Sequence, residues 1–209
     1  MKVVIYKLVL LLWACLLVSQ AMAAEAQDPA QMLKQAADRM VSYLETNKEK
    51  LATDEKQAKQ LVRKELLPYI DQMGLGRRVL SRRVWDNATQ EQRTLFVEKL
   101  ISLVIDTYAK GLAKYDGERF IFSKAQYTRD KKTARIKSTM EQKNDKPVQI
   151  NYTLKKPEGL DEWRVIDVSI EGVSMVLTYR SQFRHQIKQD GFEKVLEKLV
   201  NQDIELKEK

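Results

Sequence analysis

The spacing of apolar positions divides the chain into three stretches. From Asp28 to Gly117 apolar residues return every third or fourth position, as on one face of a helix. From Phe120 to Ile170 they return every second position, as on one face of a strand, and from Ser174 the helical spacing resumes. Asp28-Pro29 is a cap followed by proline at the first helical position, and Met32, Leu33, Ala36, Met40 and Leu44 continue a helix to about Thr46. Thr53 is expected to cap a second helix that carries Ala58, Leu61, Val62 and Leu66, with Asp54 and Glu55 placed well for its dipole and Pro68 kinking or ending it. A short helix over 71–82, loosened by Gly74 and Gly76, comes next. Thr89-Gln90-Glu91-Gln92 is a capping box that opens the longest helix, expected to run to about Asp116 and stop at Gly117. Its apolar set, from Leu95 and Phe96 to Tyr108 and Leu112, is too broad for one stripe, so this helix should be covered on more than one side.

Four alternating runs follow. Phe120 and Phe122 begin the first. Ala134, Ile136, Ser138 and Met140 mark the second, Val148, Ile150, Tyr152 and Leu154 the third, and residues 163–170 the fourth. The turns are short (Asn144-Asp145-Lys146-Pro147 and Pro157-Glu158-Gly159), which implies an antiparallel meander with one apolar and one polar face. The stretch 163–183 is the hinge of this reading. Val165, Ile166, Val168 and Ile170 alternate, Glu171-Gly172 breaks the pattern, and from Ser174 the spacing is helical. The strand should therefore feed straight into the helix through Gly172 and set it close against the sheet, so any ligand cavity belongs between those two surfaces. A last helix after Asp190-Gly191 uses Phe192, Val195, Leu196 and Leu199. The predicted fold is α+β, with N-terminal helices, a four-stranded curved antiparallel sheet and C-terminal helices.

The first 23 residues stand apart. Lys2 and Lys7 flank a charged start, residues 8–18 are an unbroken apolar run, and Ala21-Met22-Ala23 fits signal-peptidase cleavage. The run is shorter than the ~20 residues a spanning helix needs, and it continues past Cys15, which disfavours a lipoprotein signal. Residues 1–23 are read as a secretory leader and 24–209 as one domain. Cys15 is the only cysteine, so its loss leaves no thiolate zinc site, disulfide or cysteine nucleophile in the mature chain. The formal charge of +8 falls to +6 without Lys2 and Lys7. Such a balance suits acidic partners or anionic lipid surfaces; export makes nucleic acid the least favoured partner.

Enzymatic signals are weak. The lone His185 reads as a surface or packing residue, Asp161 and Glu162 as solvated turn acids, and Asp167 and Glu171 cannot be set opposite each other from sequence. There is no phosphate loop, paired-histidine metal motif or calcium loop, so no catalytic residue, metal site or cofactor is assigned. The cluster Arg77, Arg78, Arg82, Arg83 reads as a solvated face or a contact for acidic surfaces.

Certain residues carry a family resemblance. Ile170-Glu171-Gly172-Val173-Ser174-Met175, then Tyr179-Arg180-Ser181-Gln182-Phe183, resemble the MlaC family of periplasmic phospholipid-binding, or toluene-tolerance auxiliary, proteins. So do Leu66-Leu67-Pro68-Tyr69, Trp85 with Ala88-Thr89 and Glu91-Gln92-Arg93, and Tyr108-Ala109 leading to Tyr115-Asp116-Gly117. Gln90 departs from the proline that the family pattern leads one to expect. The resemblance implies a non-enzymatic periplasmic carrier with phospholipid as cargo. It would exchange lipid with an outer-membrane lipoprotein complex and an inner-membrane ABC transporter complex, and so maintain outer-membrane lipid asymmetry. Its tails would lie in an apolar cavity between sheet and helices. From alternation and position the lining is expected at Leu103, Phe120, Phe122, Ile136, Met140, Val148, Ile150, Tyr152, Ile166, Val168, Val173 and Met175. The alternative is a periplasmic adaptor with a filled core and a working basic surface; a hydrolase is disfavoured by the missing motifs.

Overall fold

A computed structural model of the chain describes residues 28–204 except 113 and 144, so the leader assigned to residues 1–23 and Cys15 lie outside the described residues. Helix α1 (Pro29–Thr53) starts where Asp28 Oδ1 accepts the Ala30 N–H at 2.7 Å. It runs past Thr46 because the chain bends at Asn47 (φ −121°, ψ 20°) and resumes helical geometry instead of ending there. Helix α2 (Glu55–Glu65) is capped one residue later than expected, by Asp54, whose carboxylate accepts the Gln57 N–H at 3.2 Å. Pro68 then sits in a 3₁₀ turn, Leu67–Tyr69, where its missing N–H costs nothing.

The helix expected over 71–82 is two. Helix α3 (Gln72–Val79), capped by Asp71, stops at the extended Leu80, and helix α4 (Arg82–Asn87) restarts under a Ser81 cap. Gly76 is not a loosening residue. A Cβ there would meet Val97 Cγ2 at 2.4 Å and the Trp85 ring at 3.1 Å, so glycine lets α3 press against α5 (Gln90–Leu112). The capping box is reciprocal: Gln92 N–H donates to Thr89 Oγ1 at 3.2 Å and Thr89 N–H to Gln92 Oε1 at 2.9 Å. The helix ends at Leu112, short of Asp116, and a turn at Tyr115 closes on Leu112 before Gly117. It packs against α2, α3 and α7 (Phe192–Val200), as its broad apolar set requires.

The sheet has six strands where four were expected: β1 (Arg119–Phe122), β2 (Gln126–Tyr127), β3 (Thr133–Glu141), β4 (Val148–Lys155), β5 (Arg164–Ile170) and β6 (Val173–Ser174). The order is β1-β3-β4-β5-β6, all antiparallel, with β2 also on β3. The two additional strands are two residues each, too short to show alternation. On one face the register aligns Phe120 with Met140 and Val148, Ser138 with Ile150 and Ile170, and Ile136 with Tyr152 and Val168. Between Asp167, opposite Thr153, and Val165, opposite Leu154, Ile166 has no partner; this bulge bends β5.

Two clusters form the core. The helical one joins α5 to α6 (Met175–Asp190) and α7 through Phe96, whose ring meets Phe183 edge-on at 5.2 Å and Phe192 at 6.1 Å. The sheet cluster sets Met32 and Leu33 of α1 on Ala134, Ile136, Leu154, Trp163 and Val165. Gly76→Ala tests the α3–α5 contact. In an open helix that change stabilises by up to ~1 kcal/mol; here overpacking against Val97 is expected to destabilise by about 1–3 kcal/mol in urea unfolding.

Candidate functional site

The two clusters do not meet everywhere. Between them lies an apolar hollow of about 220 Å³ whose walls come from both sides. Ile70, just after the 3₁₀ turn, and Val165, Ile166, Asp167, Val168 and Ile170 of β5 form one side; α3, α5 and α6 contribute Leu75, Leu100, Val104, Tyr108, Met175, Val176 and Tyr179. A second hollow of about 240 Å³ runs between α1, α2 and α5 along Met40, Val62, Leu66, Ile101, Ile105 and Leu112. Ile70, Leu75, Val104 and Tyr108 line both and form a common wall.

The wall of β5 and α6 is fixed by a hydrogen-bond relay. Glu171 and Gly172 both take positive φ (48° and 81°), which turns β5 back into β6. A two-residue strand therefore intervenes where a direct strand-to-helix junction was expected. Glu171 N–H donates to Gln149 O at 2.9 Å, and the Glu171 carboxylate accepts the Gln149 N–H, which pins the turn to β4. Ser174 caps α6: the Leu177 N–H donates to its Oγ at 3.1 Å while its hydroxyl donates to Asp167 Oδ2 at 2.7 Å. Asp167 Oδ1 also accepts the Val176 N–H at 3.2 Å. The carboxylate thus spans strand and helix where the macrodipole favours negative charge. Asp167 and Glu171 are engaged separately in this scaffold and do not face each other as an acid pair.

The remaining polar atoms near the hollow are neutral. Tyr108 Oη approaches Met175 Sδ at 3.6 Å. Burial pushes the Tyr179 hydroxyl far up from its ordinary range, and neighbouring Tyr108 adds to the effect. Tyr152 is likewise raised by burial, opposed by its 3.2 Å hydrogen bond with Ser138, the partner it finds on the apolar face.

Of the residues expected to line a cavity, Ile166, Val168 and Met175 do so. Ile136 is wholly buried in the sheet cluster, on which Phe122 and Tyr152 also pack with their rings 5.9 Å apart. Leu103 packs on the helical cluster. Phe120, Met140, Val148 and Ile150 are half-buried and extend the apolar sheet face outward from Ile170, outside the lining of either hollow. Val173 is 53 % exposed on the hairpin. Of the helical walls only Met175 was anticipated as lining, although Val104, Tyr108 and Tyr179 also sit at apolar positions of their helices.

Other charged candidates fall outside the hollow. His185 is exposed on α6. Arg78 pairs with Asp71 at 3.1 Å and Arg82 with Asp86 at 3.4 Å, while Arg77 and Arg83 are exposed. Asp161 pairs with Lys156 and Glu162 with Arg164. Among the described residues, no group of three or more potential ligands could hold a metal ion, and no helix is long and apolar enough to cross a membrane.

Comparison with known proteins gives concordant matches. The family model described as MlaC protein matches residues 34–201. The Haemophilus influenzae intermembrane phospholipid transport system binding protein MlaC is 28 % identical over 161 residues, covering 77 % of this chain and 74 % of that protein. The toluene tolerance protein ttg2D of Pseudomonas putida is 24 % identical over 166 residues, 79 % of this chain and 76 % of that protein. The solved structure of a phospholipid-binding protein from Ralstonia solanacearum, in complex with a phospholipid, superposes with a TM-score of 0.75 at 25 % identity, covering 84 % of this chain and 96 % of that one.

Asp167→Ala tests the relay. It removes the acceptor for the Ser174 hydroxyl and the Val176 N–H and is expected to cost about 1–3 kcal/mol in chemical denaturation. Hydrogen exchange of the amides at 174–177 should rise with it.

Proposed function

The chain belongs to the MlaC protein family, and from that premise we propose that it is a carrier that holds the acyl tails of a phospholipid in the paired hollows and leaves the headgroup near solvent. The observation that carries this reading is the apolar lining of a cavity left between two well-packed cores. Each CH₂ exposed to water costs ~0.8 kcal/mol, so unassisted movement of a lipid between bilayers is slow. A protein that covers the tails lowers that barrier without covalent chemistry. Side chains that face an apolar hollow have no packing partners across it, and acyl tails would supply them.

In the same reading, residues 1–23 are a cleaved leader and residues 24–209 a single periplasmic domain. The partners are an outer-membrane lipoprotein complex and an inner-membrane ABC transporter complex, and the outcome is maintenance of outer-membrane lipid asymmetry. The resemblance and the named relatives support these assignments. The half-buried strip of Phe120, Met140, Val148 and Ile150 gives tails that outgrow the hollows a continuing apolar path.

Native mass spectrometry of the purified protein should show bound phospholipid; a lipid-free mass under gentle conditions would favour the adaptor with a filled core. Met175→Glu puts a charge in the hollow and is expected to lower retained lipid at least tenfold, whereas Val173→Arg, on the exposed hairpin, should leave it unchanged. Equal loss in both variants would displace the cavity from this seam. Delipidation should also lower the thermal midpoint, because cargo that binds only the folded state stabilises it. A midpoint indifferent to lipid would count against cargo in the core.

A further inference from the structure

The positive charge of the chain is concentrated in one hairpin. Residues 124–137 carry six cations (Lys124, Arg129, Lys131, Lys132, Arg135 and Lys137) against the single acid Asp130, so this segment holds +5 of the formal +8. Lys2 and Lys7 account for two more, which leaves +1 for all other residues together. The hairpin of β2 and β3 is closed by hydrogen bonds: Thr128 N–H donates to Thr133 O at 2.9 Å and Lys131 N–H to Thr128 O at 2.9 Å. Asp130 is occupied by the same turn, accepting the Thr128 hydroxyl at 2.6 Å and the Lys132 N–H at 3.1 Å. Register sets Gln126 opposite Arg135. Ser123 N–H donates to Lys137 O at 2.8 Å and Lys137 N–H to Ser123 Oγ at 3.0 Å, which brings Lys124 to the same strand. Along β3, Ala134 and Ile136 are buried in the cluster that α1 covers, while Arg135 and Lys137 alternate with them and are exposed on the other face. All six cations are exposed, and among the described residues none forms an ion pair. Exposed Lys155, one strand over, lies opposite Thr133 and so diagonal to Arg135.

We propose that this strip docks the protein on the surface of a bilayer rich in anionic phospholipid. Cations crowded on a rigid hairpin without counter-charges repel one another, and a plane of negative headgroups relieves that repulsion. The residue types suit such a plane better than they suit a protein surface. Four of the six are lysines, hydrated point charges on flexible stems that follow a diffuse field. Protein interfaces are depleted in lysine and centre on desolvated aromatic or arginine anchors seated in pockets. None of the six lines either hollow, so docking and cargo are separate and the proposal does not depend on the carrier reading.

The test is flotation of the purified protein with vesicles equimolar in phosphatidylcholine and phosphatidylglycerol, against vesicles of phosphatidylcholine alone. The protein should float with the anionic vesicles only. Binding should weaken as ionic strength rises from ~0.01 M to ~0.1 M, which shortens the Debye length from ~30 Å to ~10 Å. Each cation at the surface is worth about fivefold in partition, so Lys131→Gln with Lys132→Gln and Lys137→Gln should weaken binding about a hundredfold. Arg77→Gln with Arg83→Gln and Arg184→Gln removes the same charge from exposed positions on α3, α4 and α6, and should weaken it at most about fivefold. Both variants should keep the wild-type thermal midpoint and retained lipid. Equal loss of flotation in the two would mean that net charge alone attracts the protein, and would overturn the strip. Flotation that is indifferent to salt, or as strong on phosphatidylcholine alone, overturns electrostatic docking. Absence of flotation on anionic vesicles overturns the proposal and leaves the carrier reading intact, because retained lipid is measured separately. Binding of polyglutamate without such flotation would assign the strip to an acidic protein surface instead.

Discussion

An apolar gap inside a protein tends to close, because each side chain that moves into it regains dispersion contacts and leaves water behind. The fold withstands that tendency by anchoring each wall in a different core. On the helical side, Phe96 and Phe183 are wholly buried and in edge contact, and they fix α5 and α6 before either reaches the seam. On the sheet side, Met32 and Leu33 clamp α1 onto Ile136, Leu154 and Val165. The gap is the place where these two assemblies run past each other. Val104 and Tyr108 on α5, and Ile70 before α3, have neighbours along their own elements and a void across from them.

The relay at Asp167 follows from the same demand. A helix that starts directly off a sheet edge leaves unpaired N–H groups next to an apolar hollow, where water is a poor substitute. Ser174 and Asp167 satisfy two of them from inside the protein. The positive φ at Glu171 and Gly172 and the bond of Glu171 to β4 keep the hairpin from swinging outward. The Ile166 bulge then turns β5 so that consecutive residues from Val165 to Val168 reach the hollow, which a flat strand with strict alternation would not permit.

Much of this was legible in the order of residues, and the omissions have physical causes. The capping box at Thr89 and the alternation of β3 and β4 are local signals that the tertiary structure had no reason to override. The split at Leu80-Ser81 was missed because Ser81 reads equally well inside a helix and as a cap, and the extended Leu80 is set by burial in the helical core. Asp54 displaced Thr53 as a cap by one residue, a choice that depends on where the preceding helix lets go. Period two identifies the apolar face of the sheet and says nothing about which part of it another element covers. Ile136 and Ile150 therefore looked equivalent, although one is sealed by α1 and the other is half-buried. The helical wall on α5 was overlooked for the converse reason: Val104 and Tyr108 repeat at core spacing, and a residue facing a void has the same sequence period as one facing a neighbour.

The partition between the two hollows is made of side chains and not of backbone. Ile70, Leu75, Val104 and Tyr108 divide the space, and Tyr108 is 46 % exposed. Changing how the two spaces connect therefore requires rotamer changes, on a timescale of ps–ns where side chains are exposed, and leaves the anchored helices in place. The surrounding residues fit that demand: Met40 and Met175 are unbranched and polarisable, and they sit on the outer walls of the two hollows. Rigid cores with an adjustable seam reconcile two requirements that conflict in a uniformly packed protein, namely a cavity that persists and a cavity whose shape can follow its contents. The one carboxylate in that wall, Asp167, has its oxygens taken up by the Ser174 hydroxyl and the Val176 N–H, so no unpaired charge is left to hold water there when the contents leave.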